Sequence, residues 1–195
     1  MRIWRIIQRS LGVTPPPVVE TTQPKLLLVQ SCLDAIRAGL DPEIRKGHEG
    51  IIYLLGRTDG ATALAVTVFR PDAITSPGSF HVDSRAMAAC VAAAGRFEMQ
   101  VVGQLHTHPG QAYHSDGDVE GARIRYPGYL SIVLPMYGRF LPSFRDAAVY
   151  VCTAGLGWRQ LDTNSIIIIP NSGPWTSKAG TTSATIASSG TARIV

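Results

Sequence analysis

The segment Val101–Gly121, VVGQLHTHPGQAYHSDGDVEG, contains the most informative spacing of polar residues in the chain. Its hydrophobic beginning predicts a β-strand, and this strand leads into His106 and His108. Because residues i and i+2 of a strand point to the same face, both imidazoles can reach one point in space. Pro109 and Gly110 then end the strand and begin a loop.

A serine and an aspartate follow this loop at a helical spacing. If a helix begins at or just after Ser115, then Ser115 and Asp118 share one face of its first turn. Two histidine nitrogens and one carboxylate oxygen are the ligand set of a catalytic zinc ion, with the fourth position open for water. Asp116 is the alternative carboxylate, and either aspartate could simply stabilise the helix N-terminus. We predict that His106, His108 and Asp118 bind Zn²⁺.

The segment from His106 to Asp118 follows the pattern His-x-His-Pro-x5-Ser-x-x-Asp. This pattern resembles the signature of the JAMM metalloproteases, also called the MPN-plus or JAB family, which includes deubiquitinases and their bacterial relatives. That signature also needs a glutamate far upstream on a strand, and the segment Glu49–Gly56 is similar to it. The similarity extends from about Glu49 to about Pro135, and more weakly to about Pro170.

The resemblance implies both a fold and a set of catalytic roles. The implied fold is α+β, a layered α/β domain of the cytidine-deaminase-like kind, in which helices flank a curled mixed β-sheet. Glu49 would be the general base for a zinc-activated water, and Ser115 would donate a hydrogen bond to the oxyanion. Ser115 could equally be a helix N-cap. Glu43 competes with Glu49, but only Glu49 leads an apolar strand with a glycine after it.

The resemblance also implies an activity and its partners. The expected enzyme is a zinc isopeptidase or peptidase that cleaves after the C-terminus of a ubiquitin-like protein, in deconjugation or precursor processing. Its compact form is similar to bacterial members, which implies E1- or E2-like partners in a ubiquitin-like conjugation or antiphage system. Two alternatives stay open: a peptidase that trims a sulfur-carrier protein, and a non-catalytic MPN-type scaffold.

Composition limits the other classes of function. The formal net charge is +4, but the 15 arginines are scattered and form no dense basic run, so we expect no nucleic-acid partner. The absence of an apolar run of about 18 residues predicts no membrane-spanning helix. The three cysteines are odd in number and far apart, which favours free thiols in a reducing cytoplasm over disulfides.

The chain of 195 residues is long enough for one domain with tails. Residues 1–24 contain a basic segment and a proline-rich arm, and residues 25–170 form the expected catalytic domain. Residues 171–195 are rich in Ser, Thr and Gly, and we expect them to be disordered.

Hydrophobic periodicity predicts the elements of the domain. We expect a helix that ends near Gly39, a β-hairpin with Asp59-Gly60 at its tip, a loop from Pro71 to Phe80, and a second helix from Asp83 or Ser84 to Ala94. Further predictions are a helix after Ser115 that runs towards Arg125, strands at Tyr129–Leu134 and Arg145–Thr153, and a closing hairpin of Gly157–Leu161 with Ser165–Ile169.

Three further histidines are predicted to lie outside the ligand set. His114 adjoins Ser115, and we expect it at the rim of the site, where it would touch substrate. His48 would face away from Glu49 on a strand. His81 lies in a predicted loop and is expected to have no special role.

Overall fold

A computed structural model describes residues 25–171. The predicted arm of residues 1–24, and the predicted tail after its first residue, lie outside the described residues. In chain order the elements are β1 (Lys25–Val29), α1 (Gln30–Lys46), β2 (Ile51–Thr58), β3 (Thr62–Phe69), β4 (Ile74–Ser76), β5 (Ser79–His81), α2 (Ser84–Arg96), β6 (Gln100–Thr107), α3 (Asp116–Gly121), β7 (Leu130–Leu134), β8 (Ala148–Cys152), β9 (Trp158–Leu161) and β10 (Ile166–Ile169).

The main sheet is eight-stranded, with the order β10-β1-β3-β2-β6-β7-β8-β9. The pairs β1–β10, β1–β3 and β6–β7 are parallel, and the other neighbours are antiparallel. Its two edge strands are joined by residues 162–165 alone, which reach at most about 18 Å. Seven strand spacings in a flat sheet would measure about 34 Å. The sheet is therefore curled, and the predicted α+β class is confirmed.

The predicted closing hairpin is wrong, although both of its strands exist. β9 pairs antiparallel with β8, whereas β10 crosses to the other edge and pairs parallel with β1. The Asp162 side chain accepts a hydrogen bond from the Asn164 amide at 2.7 Å and turns the chain between them. Ile166 and Ile168 then pack against the core that contains Leu26 and Leu28, so burial of these isoleucines selects the distant partner.

The hairpin of β2 and β3 is confirmed, including its turn. The Asp59 Oδ1 atom accepts hydrogen bonds from the amides of Ala61 at 2.9 Å and Thr62 at 2.7 Å. These two bonds satisfy backbone donors that the turn leaves outside the ladder. The same β2 strand pairs with β6 on its other side, with Ile51 opposite His106.

Helix α1 does not end at Gly39 as predicted. It continues to Lys46 and ends at Gly47, whose φ of 66° is the left-handed conformation that glycine adopts most easily. Gly39 has a packing role instead, because a Cβ atom there would lie 2.5 Å from Cδ1 of the buried Ile52. The missing side chain lets α1 lie close against β2.

Two other boundaries also differ from prediction. The expected loop of residues 71–80 contains a small antiparallel hairpin, β4–β5, whose turn is Pro77-Gly78. Each of its strands is too short to show a repeating pattern.

Helix α3 ends at Gly121 rather than near Arg125. Helix α2 begins as predicted, since the Asp83 side chain accepts the Ala86 amide at 2.7 Å.

The core divides into two clusters of buried side chains. One contains the buried residues of α1, among them Ile36, with Ile52 and Leu105 of the sheet. The other contains the buried residues of α2 with Tyr53 and Tyr129. Cys32, Cys90 and Cys152 are buried free thiols, as predicted. Among residues 25–171, no helix has the length and apolar character needed to cross a membrane.

Candidate metal-binding active site

Strand β6 brings His106 and His108 to the site. His106 is fully buried, and 6% of His108 is exposed. β6 lies between β2 and β7, so its backbone is bonded on both sides. Past the end of the strand, the His108 amide donates to the Leu134 carbonyl at 2.9 Å, and the Tyr137 amide donates to the His108 carbonyl at 2.8 Å. These bonds fix the direction in which both imidazoles point.

The start of α3 brings Asp118 to the same place. Ser115 is the N-cap of this helix, and its Oγ atom accepts the Asp118 amide at 3.2 Å. In return, the Asp118 Oδ2 atom accepts the Ser115 amide and the Ser115 hydroxyl, each at 2.8 Å. This capping box satisfies backbone donors of the helix start and orients the carboxylate.

The three predicted ligands meet in space. The Nε2 atom of His106 lies 3.1 Å from Asp118 Oδ1, and the Nε2 atom of His108 lies 3.2 Å from Asp118 Oδ2. One nitrogen or oxygen atom from each residue lies within 4.8 Å of the others. Asp116, the alternative carboxylate, is exposed and does not belong to this group among the described residues.

The donor atoms suit a metal ion. Within residues 25–171, both ring nitrogens of the buried His106 lack an aligned hydrogen-bond partner, although Asp118 is close to one of them. Burial would raise the pKa of Asp118, but His106 and His108 outweigh this effect and hold the pKa of its carboxyl well below the usual range. The carboxylate therefore stays ionised, as a metal ligand must. Two imidazoles and one carboxylate are a ligand set that Zn²⁺ accepts.

Glu49 reaches the site because β2 pairs with β6. It follows the end of α1, is 7% exposed, and donates its amide to the Ser76 carbonyl at 2.8 Å. Burial raises the pKa of Glu49 to about 7; the nearby His108 opposes this effect and Asp118 adds to it. A carboxyl group with this pKa can both accept and release a proton near neutral pH.

These residues line a cavity of about 550 Å³. Its wall includes Glu49, Phe80, His108, Tyr113, Asp118 and Arg123. Residues of the β4–β5 hairpin form part of one side, and the Phe80 ring lies 5.3 Å from the His106 ring. The segment predicted to be a plain loop is therefore part of the site, and it includes His81, for which no role was predicted.

Comparison with known proteins agrees with a metal centre. No protein-family model matches the chain. Over 145 residues the chain is 28% identical to a Sinorhizobium fredii protein named as a probable metalloprotease, and the aligned part covers 69% of this chain and 85% of that protein. The chain is a distant relative of a probable metalloprotease.

Two solution structures are similar to the chain. One is a Desulfitobacterium hafniense protein with a TM-score of 0.56 and 17% identity, over 74% of this chain and 93% of that one. The other, from Salinibacter ruber, has a TM-score of 0.45 and 24% identity, over 69% of this chain and 88% of that one. The similarity to the Desulfitobacterium hafniense protein is a similarity of fold.

His114 is not the rim residue that was predicted. Its ring stacks on Tyr150 at 3.8 Å between centroids and meets Trp158 edge-on at 4.9 Å. Its Nε2 atom lies 2.9 Å from the Ser131 hydroxyl, and burial, together with the nearby His106, lowers the pKa of His114 to about 4. Tyr150 of β8 and Trp158 of β9 pack against the His114 ring, so this side chain points into the protein. Both residues are distant from His114 in the sequence.

Other residues that were weighed against the site lie away from it. The Nδ1 atom of His48 lies 3.2 Å from the Thr75 hydroxyl. Glu43 is buried and paired with Arg70 at 2.9 Å, beside a separate small cavity. Glu43 therefore forms a structural ion pair, whereas Glu49 lines the cavity together with His108.

Two residues near the site were missed at the sequence level. Tyr113 packs edge-on against His108 at 5.1 Å between ring centroids. Thr107 separates the two histidines, and strand alternation turns its side chain away from theirs. The position of Thr107 in the sequence therefore did not indicate a functional role.

Proposed function

We propose that this protein is a metal-dependent peptidase of the JAMM type, in which His106, His108 and Asp118 hold Zn²⁺. The observation that carries the proposal is the meeting of these three buried side chains, two of which, His108 and Asp118, line the same cavity as Glu49. The similarity to a probable metalloprotease supports it independently.

The described side chains have separate tasks in this reaction. A bound zinc ion would supply a Lewis acid that polarises the scissile carbonyl and acidifies a water molecule. Glu49 would accept the proton of that water and deliver it to the leaving amine, since it lines the same cavity as His108 and Asp118. The Ser115 hydroxyl is bonded to Asp118, so it would have to leave this partner to donate to an oxyanion.

We further propose that the substrate is the C-terminal tail of a ubiquitin-like protein, joined to a lysine or to a following peptide. The resemblance of the His106–Asp118 pattern supports this substrate class. An extended tail would enter between the β4–β5 hairpin and the Tyr113 loop, both of which line the cavity. E1- and E2-like partners, an antiphage setting and a cytoplasmic location belong to the same proposal.

The test measures metal content and cleavage together. The probes are a ubiquitin C-terminal fusion, a sulfur-carrier C-terminal fusion and a library of internally quenched peptides. We expect purified wild type to contain zinc and to cleave the ubiquitin fusion. Glu49→Gln should keep its zinc and cleave at least about 100-fold more slowly, because it lacks the base. His106→Ala should lose both zinc and cleavage.

Glu120→Gln is the matched control, because Glu120 is an exposed residue of α3. It should cleave at the wild-type rate. A zinc-loaded Glu49→Gln protein that cleaves as fast as wild type would show that Glu49 is not the base. A wild-type protein that takes up no metal from zinc-containing buffer would overturn the proposal, and preferential cleavage of the sulfur-carrier fusion would replace the substrate class.

A further inference from the structure

Thr107 joins the segment that carries Glu49 to the strand that carries the two histidines. The Thr107 amide donates to the Gly50 carbonyl at 3.0 Å. The Gly50 amide donates to the Thr107 hydroxyl at 2.8 Å, across a sequence separation of 57 residues. Thr107 is 1% exposed, so water does not compete for these bonds. Two hydrogen bonds thus link the residue after Glu49 to the residue between His106 and His108.

The second of these bonds is unusual for a β-ladder. Directly opposed residues of an antiparallel hydrogen-bonded pair exchange two backbone N–H···O=C bonds. Here the Thr107 side-chain oxygen accepts the Gly50 amide. The bond therefore depends on the side chain at position 107, and a substitution there can remove it while the backbone stays in place.

Helix α1 packs closely against one side of Gly50. A Cβ atom on Gly50 would lie 2.8 Å from Leu40 Cδ2 and 3.3 Å from Glu43 Cβ. Gly50 is therefore held between helix α1 on one side and Thr107 on the other. The neighbouring Glu49 amide is bonded to the Ser76 carbonyl at 2.8 Å. Bonds at two successive amides fix the backbone from which the Glu49 side chain projects.

The two branches of Thr107 have different surroundings. The hydroxyl contacts Gly50. The methyl group lies beside Gly138, where a Cβ atom would be 3.3 Å from Thr107 Cγ2. Valine would keep the methyl contact and lose the acceptor, and serine would keep the acceptor and lose the methyl contact. The two roles can therefore be separated by single substitutions.

We propose that Thr107 is a positioning residue, whose hydroxyl holds Gly50 and thereby sets the place of the Glu49 carboxyl relative to His106 and His108. The inference rests on the proposed function, because it assigns Thr107 a part in the same reaction. In this proposal Thr107 contacts neither the substrate nor the metal. A misplacement of about 1 Å between reacting groups can reduce a rate about 100-fold, so loss of one such bond is measurable.

The test compares Thr107→Val and Thr107→Ser with wild type, using the best-cleaved probe from the panel above. We expect Thr107→Val to reduce kcat about 10- to 100-fold, with KM and zinc content unchanged. Thr107→Ser should stay within about 3-fold of wild type. Thr67→Val is the matched control, since Thr67 is exposed on β3. If Thr107→Ser loses as much kcat as Thr107→Val, the methyl packing is what matters and the proposal is overturned.

A double-mutant cycle shows whether Thr107 acts through Glu49. In the Glu49→Gln background, the added Thr107→Val substitution should cause no further loss of the residual rate. An equal loss in both backgrounds would overturn the proposal. A general loss of stability would reduce the rate in both backgrounds, so the cycle distinguishes it from an effect that acts through Glu49.

Amide hydrogen exchange provides a readout that needs no substrate. The Gly50 amide should exchange at least about 10-fold faster in Thr107→Val than in wild type, and at nearly the wild-type rate in Thr107→Ser. Unchanged Gly50 exchange in Thr107→Val would overturn the proposal. If zinc-loaded wild type cleaves no probe, the peptidase proposal fails, and the Gly50 exchange still decides whether Thr107 holds the Glu49 segment.

Discussion

Glu49 lies in surroundings that disfavour its charge. It is almost fully buried, and Asp118 nearby is an anion, whereas the imidazole of His108 partly offsets both effects. The result is a pKa of about 7, compared with an ordinary value of 4.5. Such an arrangement reduces stability near neutral pH, and perturbed pKa values of this kind cluster at functional sites.

The raised pKa of Glu49 predicts a pH-dependent stability of the metal-free protein. Between pH 4.5 and about 7 the folded protein binds a proton that the unfolded chain has released. The contribution of Glu49 to the stability of wild type is therefore lost as pH rises through this window, and Glu49→Gln lacks this contribution. We expect the free energy of unfolding of Glu49→Gln to exceed that of wild type by an amount that grows by on the order of 2 kcal/mol from pH 5 to pH 8.

Urea unfolding at several pH values, with a chelator present, measures this difference. His108 and Asp118 are present in both proteins, and Glu49 also raises the pKa of His108, so the difference reports Glu49 together with its interaction with His108. The exposed Glu120→Gln variant should show a flat difference across the same range. A flat difference for Glu49→Gln as well would contradict the raised pKa.

The loop between β6 and α3 is anchored by one inward-pointing side chain. His114 stacks on Tyr150 of β8, and its ring nitrogen lies within hydrogen-bond distance of Ser131 of β7. The His114 amide also donates to the Tyr150 hydroxyl at 3.2 Å. Because Ser115 follows directly, these contacts determine where α3 begins and where Asp118 points.

Removal of the His114 ring should loosen this loop. We expect His114→Ala to lower the free energy of unfolding by about 2–3 kcal/mol, through lost packing and the loss of the His114 partner of the Ser131 hydroxyl. Zinc affinity should fall about 10- to 100-fold, because Asp118 is held less firmly. Urea unfolding and competition with a chelator measure the two effects.

His114→Phe separates the two contributions to this anchor. It keeps the stacking and loses the bond to Ser131, so its stability should lie between those of wild type and His114→Ala. Gln111→Ala, an exposed change in the same loop, should resemble wild type in both measurements. A His114→Ala protein with wild-type stability would show that the loop is held by other contacts.

Over the whole molecule, the metal would connect a strand of the sheet to a helix that follows it after a loop. His106 and His108 come from β6, and Asp118 comes from α3. An ion bound to all three would stabilise the folded state alone, since the unfolded chain does not bring them together. The stability of the domain should therefore depend on metal concentration.

Chelation should lower the melting temperature of the zinc-loaded protein. At free zinc of 100 times the Kd the expected stabilisation is about 2.7 kcal/mol, which corresponds to about 5–10 °C for a domain of this size. Thermal unfolding with and without chelator measures the shift. His106→Ala should melt at the same temperature in both conditions, and an equal shift in that variant would point to a metal site elsewhere.

Local patterns were enough to predict most individual elements. The spacing of His106 and His108, the Ser115 cap and the Asp59-Gly60 turn each specify a geometry within a few residues, and all three geometries occur. The order of the predicted helices and strands, together with the family resemblance, was enough for the α+β class. Such features depend on backbone geometry and on which face of an element is apolar, and both can be read over a short window.

Packing between residues distant in the chain determined the features that the sequence did not predict. The partner of β10, the continuation of α1 past Gly39, the inward turn of His114 and the contact between Thr107 and Gly50 all depend on residues distant in the chain. Each is selected by the total burial and hydrogen bonding of the folded domain, which no short window contains. The candidate metal ligands were therefore predictable from their spacing, whereas Glu49 lies beside them only because β2 and β6 pair.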